Sequence, residues 1–212
     1  MCPLYAVGKC GQGMSVATFC AAMLPYAKQA ATATGLRCEL FLTQWGLESN
    51  WGQSIIAVDD HNFAGIECPS AGKGCTGCDG IYTRCPTTAD FADLYIAILS
   101  DSTYAPVRAT AGQSLTSQFE ALGRSPWAES HYATGCGYDG CELVNLYNDE
   151  AATISAACAG TGPPPPPPGS GVGVGLLVAV GVLAAAAVWT RRERVAAVVT
   201  TRAVDRRGRG FR

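Results

Sequence analysis

The feature that most limits how this chain can fold is a run of six prolines at residues 163–168, followed by Gly169-Ser170-Gly171. Proline fixes φ and removes the backbone donor, so such a run stands as a stiff spacer with a flexible end and cannot enter a core. Residues 1–160 are therefore expected to form one domain and 161–171 a polyproline linker, with two short pieces beyond it. Residues 172–189 are uncharged and rich in Val, Leu, Ala and Gly. As a helix they would cover about 27 Å, enough for a bilayer core, so one transmembrane helix is expected there. Residues 190–212 hold eight Arg against Glu193 and Asp205, whereas residues 1–170 hold seven Lys or Arg against fifteen Asp or Glu. The positive-inside tendency then predicts a cytoplasmic or interior tail and an acidic domain on the other side of a lipid bilayer. Nucleic acid is a partner for the Arg tail only if that membrane encloses a genome, as in a virion.

All eleven cysteines lie at or before Cys158. Such density in one acidic domain predicts disulfides in an oxidising space, and the odd number leaves at least one thiol unpaired or bridging chains. Cys68, Cys75, Cys78 and Cys85 also have a symmetric spacing that offers a zinc knuckle as an alternative. Disulfides are favoured because histidine is scarce, and no cofactor is expected. Cys136 and Cys141 bracket a tight turn that a disulfide could close. The amino terminus, Met1-Cys2-Pro3-Leu4-Tyr5, lacks the basic and apolar regions of a removable secretory signal. Export through the carboxy-terminal span, or delivery in a phage membrane, is the expectation that follows.

Within the first domain, apolar residues at three- and four-residue steps predict helices over 14–32, with a kink at Pro25, and over 37–49, 88–100, 114–122 and 142–157. Residues 66–89, rich in Gly, Cys, Thr and Pro, predict a short hairpin lobe. On the second helix Leu36, Leu40, Leu47 and Trp51 form a stripe with Glu48 at its edge. A carboxyl beside indole and apolar surface has its charged form disfavoured, which suits a proton donor.

Residues 18–67 carry Phe19, Leu24, Pro25 and Ala27, then Gly35-Leu36, then the run from Gln44 to Gly52, then Asn62-Phe63-Ala64-Gly65-Ile66. In that order they resemble the glucosaminidase domain of glycoside hydrolase family 73, known from flagellar muramidases, autolysins and phage lysins. Tyr132-Ala133-Thr134 resembles a further family segment, and the likeness spans about residues 14–157. It implies a mainly α, lysozyme-like α+β domain with a small Cys-rich hairpin lobe.

The resemblance also implies a peptidoglycan hydrolase that cuts the glycan beside N-acetylglucosamine, with Glu48 as general acid and Tyr132 in the catalytic site. Trp51, Asn62 and Phe63 would bind the sugar. The family's second carboxylate sits on the hairpin lobe, where this chain offers Glu67 or Asp79, but Tyr82-Thr83-Arg84-Cys85 occupies the expected position. Cleavage with a single carboxylate, assisted by the substrate's N-acetyl group, is therefore an alternative and would allow lytic transglycosylase-like products. A non-catalytic virion membrane or spike component that binds cell-wall glycan is another. His61, Asp59 and Asp60 are expected on a solvated loop.

Overall fold

The computed structural model describes residues 14–68 and 73–160. In chain order the elements are α1 (Val16–Thr34), α2 (Cys38–Ser49), α3 (Ile55–Asp60), β1 (Gly77–Asp79), β2 (Tyr82–Arg84), α4 (Thr88–Ser100), a 3-10 turn (Ser102–Tyr104) running into α5 (Ala105–Arg108), α6 (Leu115–Gly123) and α7 (Cys141–Cys158). The five expected helices all form, with ends within two residues of expectation. Helix α3 and the turns after α4 were not expected, because each is too short to show a period.

The helix starts have a common local cause. Ser15, Ser54, Thr87 and Ser114 each accept a backbone N–H three residues on, satisfying a donor that the first turn leaves free. Helix α1 runs on through Pro25 and buries Val16, Phe19, Cys20, Met23, Ala27 and Ala30 along one face.

Helix α2 departs from the single stripe that its sequence suggests: every residue from Leu40 to Gly46 is buried. It lies at the centre, with α1, α6 and α7 packed around it. Aromatic contacts close the side toward α4. Tyr95 meets Phe41 at 5.8 Å and Trp45 at 5.2 Å between ring centroids, and Phe91 meets Trp45 at 5.3 Å. A helix covered on nearly all sides shows little periodicity, which is why a stripe analysis understates it.

The hairpin lobe is a two-stranded antiparallel sheet with Gly77 opposite Arg84, Cys78 opposite Thr83 and Asp79 opposite Tyr82. Its four cysteines pair as Cys68–Cys78 and Cys75–Cys85. A zinc knuckle would need the same sulfurs as thiolates, so the zinc alternative gives way to disulfides. Cys38–Cys158 ties the start of α2 to the end of α7, and Cys136–Cys141 closes the turn before α7. Among the described residues Cys20 is the free thiol, and it is buried.

No helix among the described residues is long and apolar enough to cross a membrane. The expected linker at 161–171, span at 172–189 and Arg tail lie outside the described residues, as do Cys2 and Cys10.

Candidate active site

Glu48 stands half-buried in the last turn of α2. The chain leaves that helix sharply: Asn50 and Trp51 both take positive φ, 50° and 54°. This turn folds the indole back over the helix, with Trp51 N–H donating to Gly46 O at 2.8 Å. A Cβ on Gly46 would lie 2.3 Å from the Trp51 ring, so the close approach depends on glycine there. Trp51 also meets Phe19 edge-on at 5.5 Å and is only 8% exposed. The indole, expected as a sugar-binding surface, thus packs against the end of α2 and Phe19.

Tyr132 comes from a loop more than eighty residues away and reaches Glu48 directly. Its hydroxyl donates to Glu48 Oε1 at 2.6 Å. His131 and Tyr132 both hold positive φ, 53° and 50°, which L-residues seldom adopt. Surrounding bonds keep them there. His131 Nδ1 meets Gly123 O at 2.8 Å, Gly140 N–H donates to His131 O at 2.9 Å, and Glu142 N–H donates to Tyr132 O at 2.9 Å. The expected Cys136–Cys141 disulfide closes the same loop.

Behind Tyr132 lies Gln44, one turn before Glu48 on α2 and fully buried. Its Nε2 donates to the Tyr132 oxygen at 2.9 Å, and its Oε1 accepts the Tyr95 hydroxyl. Burial raises the Tyr132 phenol well above its ordinary value, the neighbouring Glu48 charge and the hydrogen bond to it add to that, and Gln44 opposes it. Tyr132 therefore keeps its proton at neutral pH and acts as a donor. Gln44 and Tyr95 were missing from the sequence-based candidates. A glutamine within an otherwise apolar stretch of helix, four residues before the acid, was the available signal.

The loop before the hairpin abuts the acid from the other side. Gly65 has φ of 62°, and a Cβ there would lie 3.5 Å from Glu48 Oε2. Asn62 sets this loop: its Nδ2 donates to Ile66 O and Thr83 O, both at 2.9 Å, and its Oδ1 accepts Ile66 N–H at 2.9 Å. It is fully buried. Its amide, expected to bond sugar hydroxyls, is committed to backbone and clamps the loop to β2. Phe63 is half-buried and packs on Phe91 at 5.4 Å.

Of the two candidate second carboxylates, Glu67 is exposed and its backbone bridges to Tyr82. Asp79 is 59% exposed in its side chain and lies 3.5 Å from Arg84. Asp60, expected on a solvated loop, is fully buried and holds Arg84 Nε at 2.7 Å, while its Oδ2 has no hydrogen-bond partner among the described residues. The bond to Asp60 is the main cause that raises the Arg84 guanidinium above its ordinary value. His61 caps α3 with φ of 49° and lies 3.0 Å from Cys85 O. A depression of about 460 Å³ beside it is lined by Asp59, His61, Thr76, Gly77, Arg84, Cys85 and Pro86, on the lobe and away from the Glu48–Tyr132 pair.

The arrangement thus brings Glu48 and Tyr132 into contact, with Gly65 beside them. A half-buried carboxyl at the end of a helix thus lies within reach of a phenol that keeps its own proton and donates to it.

No curated protein matches the chain. A solved structure described as a type VI secretion system effector-immunity complex from Pseudomonas protegens matches it with a TM-score of 0.54 and 18% sequence identity, covering 68% of this chain and 96% of that one. That likeness is one of fold. A family model described as mannosyl-glycoprotein endo-beta-N-acetylglucosaminidase matches residues 24–146, more than half of the chain and all of the segment from α2 to the Tyr132 loop. The chain therefore belongs to this glucosaminidase family, and its domain is a glycoside hydrolase acting on peptidoglycan.

Proposed function

We propose that Glu48 is the general acid that cleaves the glycan strand beside N-acetylglucosamine. The observation that carries this reading is the contact between a half-buried Glu48 and the buried Tyr132 hydroxyl at 2.6 Å. Two influences act on the carboxyl in opposite senses. The carbonyl end of α2 and partial burial disfavour its charge, whereas the Tyr132 proton favours it. A group balanced in this way can enter the reaction protonated and leave it as a stabilised carboxylate.

In the step, Glu48 gives its proton to the glycosidic oxygen as the bond to the anomeric carbon breaks and positive charge develops on the sugar. Glu67 or Asp79 would meet that charge, as base at about 6.5–9.5 Å from the acid for inversion or as nucleophile at about 5–5.5 Å for retention. Otherwise the N-acetyl oxygen of the substrate would attack the anomeric carbon, and a single carboxylate would suffice. The exposed setting of Asp79 and its pairing with Arg84 favour the single-carboxylate route.

The sequence adds a location: residues 172–189 anchor the protein in a bilayer, with the 161–171 linker extending the domain toward the wall at about 3.1 Å per residue in its proline run. Membrane fractionation of the full chain, against a form ending at residue 160, tests this part.

Digestion of purified sacculi, with the fragments read by mass spectrometry, tests the chemistry. Glu48→Gln should lower turnover by about 10²- to 10⁴-fold with the melting temperature unchanged. Undiminished release by that variant sinks the assignment. New reducing ends identify a hydrolase, and anhydro sugars identify transglycosylase chemistry.

A further inference from the structure

Packing alone does not account for the two buried polar side chains behind Tyr132. Gln44 and Tyr95 are both fully buried, in the middle of α2 and α4. The Tyr95 ring is held by Phe41, Trp45 and Trp127, the last at 4.8 Å. Its hydroxyl donates to Gln44 Oε1, Gln44 Nε2 donates to the Tyr132 oxygen at 2.9 Å, and the Tyr132 hydroxyl donates to Glu48 Oε1 at 2.6 Å. An amide has one accepting end and one donating end, and Tyr95 occupies the accepting end. The Tyr132 oxygen receives the other, so its own proton turns to Glu48. Reversing the amide would draw that proton away from the acid and deprive the Tyr95 hydroxyl of its acceptor among aromatic rings, which is costly where water cannot enter.

We propose that Gln44, oriented by Tyr95, is a positioning residue for cleavage: it aims the Tyr132 hydroxyl proton at Glu48, so that the carboxylate formed by proton transfer meets a donor already in place. The inference rests on Glu48 being the acid. As the Glu48 O–H bond breaks and an O–H bond forms on the leaving oxygen, the electron pair stays on the carboxylate. The hydrogen bond from Tyr132 then strengthens without its proton leaving the phenol. Tyr132 and Tyr95 are titratable groups coupled to Glu48 from the loop and from α4, with Tyr104 acting on Tyr95 in turn. Burial keeps both phenols protonated, and the Trp45 indole N–H acts the other way on Tyr95.

The test compares Gln44→Met, Tyr132→Phe and the double variant on purified sacculi across pH. Gln44→Met should lower kcat by about 10- to 100-fold at little changed KM. The alkaline limb should move up by about one pH unit, because the protonated acid gains relative to a carboxylate that has lost its oriented donor. The double variant should be no worse than Tyr132→Phe alone. Losses that multiply in the double variant, or a folded Gln44→Met protein with wild-type kcat and an unmoved limb, overturn the proposal. If Gln44→Met does not fold, Gln44→Met/Tyr95→Phe removes both partners together and should show the same loss and shift, wild-type behaviour again overturning the proposal. In the wild type, the Gln44 side-chain amide signals in NMR should titrate with the midpoint of that limb, and indifference to it also overturns the proposal. Full activity of Glu48→Gln would instead remove the acid on which the inference rests.

Discussion

Around α2, position is set by burial. Gln44, Trp45 and Tyr95 are fully enclosed, and the acid at the end of the helix is steadied by a phenol that is only 3% exposed. In the hairpin lobe the strands have three residues each, and two disulfides with sequence separations of 10 hold them. A two-stranded hairpin of that size is at best marginally stable in water, so covalent links do there what apolar area does in the helical body. Asn62 joins the regions by tying the loop beside Glu48 to β2. The difference teaches that the Glu48–Tyr132 pair is held by a packed, buried frame, whereas the lobe that carries Glu67 and Asp79 is held by bonds that need oxidising conditions to form.

The strongest way to break this comparison is to remove cystines from each region. Replacing Cys38 and Cys158 by Ala opens a span of 120 residues and should cost about 5 kcal/mol from chain entropy. Replacing Cys75 and Cys85, separated by 10 residues, should cost about 3 kcal/mol. Urea unfolding measures both. NMR of the Cys75→Ala/Cys85→Ala protein reads the lobe by itself, and a lobe that stays ordered without that cystine would show that covalent links do not hold it.

Next in size is Asn62→Ala, which removes three hydrogen bonds to backbone, although Ile66 O keeps the one from Thr83 N–H. A loss of about 3 kcal/mol is expected, accompanied by lower activity as the Gly65 loop shifts against Glu48. A raised KM with an unchanged melting curve would return Asn62 to the role of sugar ligand.

Gly140→Ala probes how the Tyr132 loop is held. Its φ is 79°, and a Cβ would lie 2.3 Å from Phe119 O. The expected cost is about 1–3 kcal/mol with a matching fall in turnover, readable by thermal melting beside the sacculus assay.

At pH 7 to 9 the smallest effect is on pH dependence. Burial, with the Glu150 charge as a lesser cause, raises the Cys20 thiol from 9.0 to about 12. Burial also raises Tyr95 and Tyr132 well above 10.0. The native state therefore retains protons that the unfolded chain releases, so these groups leave stability level below about pH 9 and lower it as pH rises further. Urea midpoints at pH 7, 9 and 11 check the sign, and a midpoint that rises with pH would contradict it.

Much of the helical frame could be read in advance because helix periods and caps are local. The apolar steps over 88–100 place α4 without reference to the rest of the chain, and Gly35 as a breaker ends α1. Glu48 and Tyr132 came from ordered motifs, and the structure brings them into contact. Trp51 and Asn62 came from the same motifs as sugar-binding residues, and the structure buries both, since a motif records that a residue recurs and not which way it faces. Asp60 was expected in solvent because nothing near it in sequence announces Arg84, which arrives from β2.

The order of residues by itself determined where the helices start and stop, that the cysteines belong to one domain, and which carboxyl stands at the end of a buried helix. Only the tertiary structure decided how the cysteines pair, that Asn62 is a clamp, and that Gln44 and Tyr95 stand behind the acid. The physical reason is range. Helix caps and periods act over three or four residues, whereas the bonds from Tyr95 to Gln44 and from Gln44 to Tyr132 join positions 51 and 88 residues apart. Such contacts exist only once the packing of α2, α4 and the Tyr132 loop has brought them together.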